Sequence, residues 1–209
     1  MADGPEFEFR AVELDRNLLA TSFEVRTNWH VLAGGPSCGK TTLLGLLERA
    51  GFQTVPECAR RLMEGELTAG RTIEEVRHDP VLLQRRIFDL QQENERKLEA
   101  RDAVFLDGAL PGSLAWYRVF GMDPNDILPS CFRHRYASVS ILDPLPLQTD
   151  GIRFDEDAHA SFIDAWTYRD FSALGYDVRR VPVMAPEDRL DFLLKSLDCT
   201  APVRLPEVW

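Results

Sequence analysis

Residues 34–42, Gly-Gly-Pro-Ser-Cys-Gly-Lys-Thr-Thr, decide the fold of this chain. They contain the pattern Gly-x-x-x-x-Gly-Lys-Thr, in which glycines let backbone N–H groups turn inward around an anion. A short apolar run at 29–33 precedes the pattern, and an apolar helical pattern at 43–50 follows it. Strand, glycine loop and helix in this order are the context that a phosphate-binding loop requires. The sequence therefore predicts that this stretch binds a nucleoside triphosphate.

The pattern also predicts what individual loop residues do. Lys40 is expected to reach the β- and γ-phosphates, and the Thr41 hydroxyl to ligate Mg²⁺. Cys38 is either a reactive thiol beside backbone amides and a helix N-terminus, or a small side chain that fills space. All nine residues are candidate nucleotide ligands: Gly34, Gly35, Pro36, Ser37, Cys38, Gly39, Lys40, Thr41 and Thr42.

The composition narrows the class of protein. The chain has 209 residues and is 44% hydrophobic, which suits one domain with a sizeable core. Its formal net charge of −10 argues against a nucleic-acid polymer as partner. No apolar run is long enough to span a membrane, and the acidic N-terminus lacks the order of a signal peptide. Four scattered cysteines without metal-ligand spacing indicate reduced thiols, no zinc and a cytoplasmic protein.

Apolar runs alternate with helical patterns along the chain. Together with the phosphate-loop pattern, this alternation predicts an α/β P-loop NTPase fold, a five-stranded parallel sheet with helices on both faces. A proline-rich connection at 143–154 is expected to belong to a lid region with helical flanks. The strands are predicted at 29–33, 52–55, 103–107, 138–142 and 176–183, and the helices at about 40–50, from 56, from 72, 80–102, 113–120, 123–132, 156–174 and 186–197.

Three further interpretations depend on these patterns. Residues 1–28 are an extension that forms either two short edge strands or a loosely held leader, residues 29–197 are the domain that contains the phosphate loop, and 198–209 are a tail. In the helix at 80–102, Gln84 and Gln91 belong either to a solvated face or to a substrate pocket. Asp107 ends an apolar strand, where P-loop enzymes place a carboxylate that helps to hold Mg²⁺.

At this point the chain resembles a known group over roughly residues 29–197. It is similar to a family of small P-loop proteins that are classed with AAA-type ATPases but built like nucleoside and nucleotide kinases. The kinase domain of the bacterial ribosylnicotinamide kinases is a relative of that family. The resemblance rests on Gly-Gly-Pro-Ser-Cys-Gly-Lys-Thr-Thr at 34–42, Val-Pro-Glu-Cys-Ala-Arg at 55–60, Val-Phe-Leu-Asp at 104–107, Asp-Gly-Ile-Arg at 150–153, and Leu-Gly-Tyr-Asp-Val with Val-Pro and Glu-Asp-Arg within 174–189.

The resemblance implies roles for four residues. Glu57 would be the base beside the acceptor hydroxyl, or else a carboxylate stabilised by a helix N-terminus. Arg60, one turn further, would hold an anionic acceptor or form a structural ion pair. Asp107 would hold Mg²⁺ directly or through water, rather than cap a helix. Arg153 would neutralise charge on the transferring phosphoryl group, or be plain surface.

One departure from the family pattern affects the function. Family members often carry Asp-Arg-Gly after the third strand, whereas this chain has Asp107-Gly108-Ala109. The loss of the arginine implies a different acceptor, weak catalysis, or a replacement such as Arg118, Arg133 or Arg135.

Two functions follow. The first is an enzyme that uses ATP or GTP with Mg²⁺ to phosphorylate a hydroxyl of a small nucleoside-like or other metabolite, with Lys40, Glu57, Asp107 and Arg153 as catalytic residues and Arg60, Gln84 and Gln91 also facing the acceptor. The second is a nucleotide-binding switch or slow NTPase that acts through a protein partner. The acceptor, the preferred base and a homo-oligomeric state stay open at this point.

Overall fold

The main sheet has five strands, and all of them are parallel. The structure is a computed structural model that describes residues 10–145 and 154–197, with the backbone alone for 154–158. In sheet order the strands are β3 (Gln53–Val55), β4 (Val104–Asp107), β2 (Trp29–Ala33), β6 (Ser138–Leu142) and β7 (Val178–Val181), numbered along the chain. The predicted α/β fold with a five-stranded parallel sheet is confirmed.

Helices cover both faces of this sheet. Successive residues of a strand point to opposite faces, and because the central strands are buried throughout, both faces need a covering layer. Val31 and Leu106 belong to an apolar cluster with Phe88 and Phe171 on one face. Their neighbours in the strands, Leu32 and Phe105, pack on the other face with residues of the first and last long helices. The first face carries α5 (Pro80–Arg96), α6 (Ser113–Val119) and α7 (Phe154–Ala173), and the second carries α2 (Lys40–Arg49) and α8 (Pro186–Ser196).

Three helical predictions were wrong in detail. A glycine inside a helix is unfavourable, so Gly65 predicts a break, but the helix α3 (Cys58–Thr68) continues through this residue. The helix α5 ends at Arg96 rather than Asp102, where the N–H groups of Lys97 and Leu98 donate to the carbonyls three residues back, Asn94 O and Glu95 O, and tighten the last turn. Glu99 O accepts from Trp29 Nε1 at 3.1 Å, and Ala100 O accepts from Asn28 N at 2.7 Å.

The segment predicted as a helix at 123–132 is instead two short 3₁₀ helices, Pro124–Asp126 and Leu128–Phe132. Pro129 lacks the backbone N–H that would continue an α-helical ladder at this point. The helix α4 (Ile73–Arg77) begins as expected, because the Thr72 side chain and Glu75 form a reciprocal capping box.

The segment before the main sheet packs on the domain. It forms α1 (Arg16–Leu19) and β1 (Val25–Arg26), and β1 pairs in parallel with β5 (His134–Arg135) in a separate two-stranded ladder. The predicted strand around Phe7, most of the connection at 143–154 and the tail at 198–209 lie outside the described residues. In the part of the chain that the structure describes, no helix is long and apolar enough to cross a bilayer.

A buried ion pair joins α6 to α7. The guanidinium of Arg118 donates to both carboxylate oxygens of Asp170, at 2.6 and 2.9 Å, and Arg118 is fully buried. Its Nε donates to Val12 O at 2.7 Å, and its plane lies 4.1 Å from the centre of the Trp166 ring. Because every polar group of the pair has a partner, removal of one charge leaves the other uncompensated in the core.

We expect Asp170→Asn to lower the free energy of unfolding by about 3–5 kcal/mol, because it strands the Arg118 charge. Urea denaturation followed by circular dichroism measures this change. The matched control is Glu13→Gln, which breaks the exposed pair with Arg169 (side chains 69% and 56% exposed). That change should cost less than about 1 kcal/mol. Equal effects of the two substitutions would contradict the role given to the buried pair.

Candidate functional site

The site begins where β2 and β4 lie side by side. The register pairs Leu32 with Asp107, so the loop that leaves β2 starts beside the last residue of β4. After β2 the chain continues to β3, on one side of this pair in the sheet, and after β4 it continues to β6, on the other side. In parallel sheets this arrangement opens a crevice at the carboxyl ends of the strands. The fold therefore brings the phosphate-loop sequence and Asp107 together.

The loop between β2 and α2 has the backbone that its sequence predicts. Gly34 has φ 130°, and a Cβ at this position would lie 2.9 Å from the backbone oxygen of Leu142. Gly39, with φ 91°, is the N-cap of α2, so the free N–H groups of the first helical turn face the loop. Ser37 also has a positive φ, 59°, and is the single non-glycine residue of this kind among the described residues.

The side chains of Lys40 and Cys38 meet at this loop, where Lys40 Nζ donates to Cys38 Sγ at 3.6 Å. Lys40 Nζ donates to Gly34 O at 3.1 Å and to Gly35 O at 2.9 Å, so the ammonium lies over the loop. Cys38 is 1% exposed and packs in the apolar cluster with Leu43 and Leu142. Its burial favours the interpretation of Cys38 as a small filling side chain over that of a reactive thiol.

Asp107 and Thr41 form an oxygen-rich pair below the loop. Asp107 is 4% exposed, and its Oδ1 is buried without a hydrogen bond to any described residue. Burial raises the pKa of Asp107 to about 6, while the Lys40 charge opposes this shift and the Glu57 charge adds to it. A hydrogen bond with Thr41 also opposes the shift.

This pair fits Mg²⁺. An orphaned carboxylate oxygen beside a hydroxyl is the kind of hard donor that Mg²⁺ prefers. Across residues 10–145 and 154–197, no group of three or more His, Cys, Asp or Glu side chains could hold a metal ion. Protein-bound Mg²⁺ commonly takes only one or two carboxylates and completes its shell with phosphate oxygens and water, so Thr41 and Asp107 can hold it beside a nucleotide.

A cavity of about 730 Å³ runs from the phosphate loop toward α3 and α5. The four predicted acceptor-side residues, Glu57, Arg60, Gln84 and Gln91, all line it. Glu57 is the N-cap residue of α3, yet its side chain makes no capping hydrogen bond. Arg60 is exposed and forms no ion pair with another described residue. Both side chains are therefore available to a ligand. Glu57 also lies at the helix N-terminus that its structural alternative requires, so both interpretations of Glu57 stay open.

Three polar residues of α5 are buried, so the solvated-face interpretation of them is wrong. Gln84 is 4% exposed, Gln91 6% and Glu95 1%. Gln91 Nε2 donates to Glu95 Oε1 at 3.0 Å, and the Cys58 thiol donates to Gln91 Oε1 at 2.8 Å. Burial, as the main cause, raises the pKa of Cys58 to about 11, so the thiol stays protonated and keeps this bond at neutral pH.

Glu95 connects the acceptor side of the cavity to the loop after β4, and sequence patterns did not find this role. Its carboxylate oxygens lie 2.9–3.1 Å from three further groups, Leu110 N, His134 Nδ1 and Tyr136 Oη. Together with Gln91, four donors surround one buried carboxylate. The network fixes α5 against residues 107–113, and it thereby orients Gln91 toward Cys58.

None of the three candidate replacements for the missing family arginine lines the cavity. Arg118 belongs to the pair with Asp170, Arg135 donates to backbone carbonyls at 174 and 175, and Arg133 is exposed elsewhere. Gly108 has φ 82°, a conformation that an arginine adopts only with strain. Arg153 lies outside the described residues, so the described cations at the cavity are Lys40, Arg60 and Arg77.

Arg189 is a functional candidate that the sequence analysis did not assign, although it ends the Glu-Asp-Arg motif of the resemblance. It is 3% exposed, and its guanidinium donates to three backbone carbonyls. The acceptors are Cys38 O at 2.6 Å, Pro182 O at 2.8 Å and Asp143 O at 2.9 Å. These bonds tie the phosphate loop to the ends of β6 and β7. The bond to Cys38 O places the positive charge of Arg189 directly beside the loop, and no described carboxylate pairs with it.

The sheet, the glycine loop and the lysine–threonine pair define a protein with the P-loop NTPase fold. More narrowly, the family model of the AAA domain matches residues 29–189, so the chain belongs to this family. A comparison with curated protein sequences gives no significant match.

Several solved structures share the fold. The NadR protein, solved in complex with NR, is 19% identical with a TM-score of 0.59, and the match covers 86% of this chain and 54% of that one. Thymidylate kinase from Ehrlichia chaffeensis is 14% identical with a TM-score of 0.57, covering 81% and 97%. Deoxyadenosine kinase from M. mycoides is 12% identical with a TM-score of 0.56, covering 81% and 98%. The chain spans about half the length of the NadR protein, and likeness at these identities shows the fold alone.

We expect Arg189→Lys to raise the dissociation constant for Mg-ATP about tenfold or more. The reason is that the guanidinium no longer joins the loop carbonyl of Cys38 to the carbonyls at the ends of β6 and β7. Isothermal titration calorimetry at low temperature measures binding to the folded variant, and circular dichroism confirms that it is folded. The matched control is Lys195→Ala, an exposed residue of the same helix. Unchanged nucleotide affinity in a folded Arg189→Lys protein would contradict the positioning role.

Proposed function

We propose that this protein is a nucleotide- and Mg²⁺-dependent phosphotransferase. It moves the γ-phosphoryl group of ATP or GTP to a hydroxyl of a small, nucleoside-like metabolite. The observation that carries the proposal is the single continuous cavity of about 730 Å³, which has the phosphate loop at one end and Glu57, Gln84 and Gln91 at the other. A nucleotide and a small acceptor can lie in it end to end. Its volume falls within the usual range of ligand pockets, about 300–1,000 Å³.

The donor end binds and neutralises phosphates. Backbone N–H groups of the loop and the N-terminus of α2 offer donors to the phosphate oxygens, and Lys40 adds a full positive charge. Thr41 and Asp107 would hold Mg²⁺, which supplies further positive charge to the β- and γ-phosphate oxygens when bound. Arg189 donates to the loop carbonyl of Cys38 and holds the loop backbone in place. The loop N–H groups therefore need little reorganisation as negative charge develops on the transferring phosphoryl group.

The acceptor end provides a base. Glu57 is half-buried at the start of α3, lines the cavity, and lies close enough to Asp107 for its charge to raise the pKa of that carboxyl. A carboxylate in this position can accept the proton of the acceptor hydroxyl as the phosphoryl group arrives. Arg60, one turn along α3, adds a guanidinium at the cavity rim that can hold an anionic group of the acceptor.

The walls of the acceptor end favour a planar, uncharged ring. Trp116 and Phe120 stack there with ring centres 6.0 Å apart, and Met63 and Ile87 add apolar surface. Gln84 is buried in this wall but makes no hydrogen bond to another described residue. An amide can both donate and accept, so Gln84 can read the edge of a heterocyclic ring. A nucleoside-like acceptor combines such a ring with a sugar hydroxyl.

A nucleotide-binding switch or slow NTPase is the second candidate. One observation in its favour is Gly108, which replaces the family arginine. A second is that, within residues 10–145 and 154–197, Arg60 is the one guanidinium close enough to Asp107 to affect its pKa. Weaker compensation of the transferring phosphoryl group would slow the chemical step. Such a protein would change its lid with the bound nucleotide and signal to a protein partner.

The decisive experiment compares Glu57→Gln with Glu64→Gln, an exposed residue of the same helix that does not line the cavity. A panel of nucleosides and other hydroxyl-bearing metabolites is first screened for acceptor-dependent ADP release. We expect Glu57→Gln to lower that turnover by about 10² or more, the usual scale for a general base, and to leave Mg-ATP affinity within a few fold. Glu64→Gln should behave like the unmodified protein, and Lys40→Ala should lose nucleotide binding.

Full acceptor-dependent turnover by Glu57→Gln would remove Glu57 from the mechanism. If no acceptor stimulates the unmodified protein, and limited proteolysis differs between the ATP- and ADP-bound forms, the switch is the better assignment.

We further expect Gln84→Leu to raise KM for a heterocyclic acceptor about tenfold or more, because the ring edge loses its hydrogen-bond partner in a desolvated site. Nucleotide affinity should not change. The control is Gln92→Leu on the same helix, because Gln92 bonds Ser130 away from the cavity. Steady-state kinetics with varied acceptor measure both. A KM that is equal in the Gln84 variant and the unmodified protein would contradict the specificity role.

A further inference from the structure

A second cavity, of about 400 Å³, lies at the amino ends of the strands of the main sheet, whereas the phosphate loop lies at their carboxyl ends. Its lining residues come from the starts of strands: Thr27 precedes β2, Ser138 begins β6, and Asp177 and Arg179 lie at the start of β7. The β1–β5 ladder closes one side of it with Arg26 and Arg135. Nothing in the proposed phosphoryl transfer uses this cavity.

Arg135 is held in a fixed orientation in this cavity. Its guanidinium donates to Leu174 O at 3.0 Å and to Gly175 O at 2.6 Å. It also lies over two aromatic rings, 4.1 Å from the centre of Tyr176 and 4.9 Å from that of Phe23. A guanidinium has five N–H donors, so these two bonds leave donors free. Because Arg135 is ordered by neutral partners, its charge is preorganised but not neutralised.

Two more arginines complete a positively charged cluster. Arg26 is the register partner of Arg135 in the parallel ladder, so both side chains leave the same face. Arg179 reaches the cavity from β7. Arg26 is exposed and Arg179 is half-buried, and neither side chain forms an ion pair with another described residue. Among the described residues of the lining Asp177 is the one acid, so three positive charges face a single negative charge there.

This cluster is unfavourable unless an anion compensates it. Like charges placed opposite each other on neighbouring strands repel, and here Arg26 lies opposite Arg135. The chain as a whole carries a formal charge of −10, so a local excess of positive charge is not a general property of its surface. Guanidinium groups that converge on a concave site match the oxygens of a phosphate group, which can accept several charge-assisted bonds.

We propose that this cavity is a second anion-binding site, which takes the phosphate group of a small molecule and is separate from the phosphate loop. Arg135 provides the fixed contact, and Arg26 and Arg179 close on the anion from two sides. The cavity is larger than a single phosphate ion, so it accommodates a diphosphate or a phosphate ester.

The test uses the full chain with Lys40→Ala, which silences the phosphate loop, and inorganic pyrophosphate as the probe at low ionic strength. Isothermal titration calorimetry should detect one remaining binding event. In the same background, Arg26→Ala with Arg179→Ala should raise the dissociation constant about tenfold or more, because two charge-assisted contacts are lost. Arg26→Lys with Arg179→Lys keeps both charges and should bind more tightly than the alanine pair.

The matched control removes the same charge elsewhere, by Arg16→Ala with Arg49→Ala, two exposed arginines that line neither cavity. This control should keep the affinity of the Lys40→Ala protein. Equal weakening by the control pair, or no pyrophosphate binding in the Lys40→Ala protein, would overturn the proposal. Parallel titrations with phosphate and citrate distinguish the anions, and tighter binding of citrate than of pyrophosphate would overturn the assignment to phosphate groups.

Discussion

The parallel pairing of β2 with β4 is the interaction on which the rest of the site depends. Their register places Leu32 beside Asp107, so the glycine loop and the carboxylate leave the sheet at the same level. Both strands are fully buried, and their alternating side chains are held by helices on either face. A slip of one residue would exchange these faces, and it would move Asp107 away from Thr41. The register is therefore enforced by the packing of apolar side chains, among them Leu32 and Leu106, next to the carboxylate that it positions.

Local patterns in the sequence were enough for the elements around this pairing. The glycine loop, the helix start at Thr72 and the apolar runs of the five strands each depend on neighbouring residues, and all were predicted. The position of Asp107 followed because carboxyl ends of parallel strands meet at one edge. The parts that were missed depend on contacts between residues far apart in the chain. Glu95 is buried because three partners from two other segments, Leu110 and the stretch 134–136, reach it, and no helical periodicity reveals such partners.

Arg189 illustrates the same limit in a different way. It lies on an amphipathic helix that follows the last strand, where an arginine is ordinarily a surface residue. Its burial becomes understandable only when the ends of β6 and β7 and the loop at Cys38 present three carbonyl oxygens to one planar guanidinium. A lysine cannot satisfy these three directions at once. The residue thus stabilises the loop through geometry, and its charge adds to the positive field at the phosphate site.

Charge distribution connects the two ends of the sheet. The chain is acidic overall, yet arginine and lysine side chains gather at the carboxyl ends of the strands, around the loop, and at the amino ends, around Arg135. At the carboxyl ends Glu57 and Asp107 accompany the positive groups, as a site that moves a proton and holds a metal ion requires. At the amino ends, within the part of the chain that the structure describes, Asp177 is the single acid beside three arginines. The first arrangement suits chemistry on a phosphate, whereas the second suits only its binding.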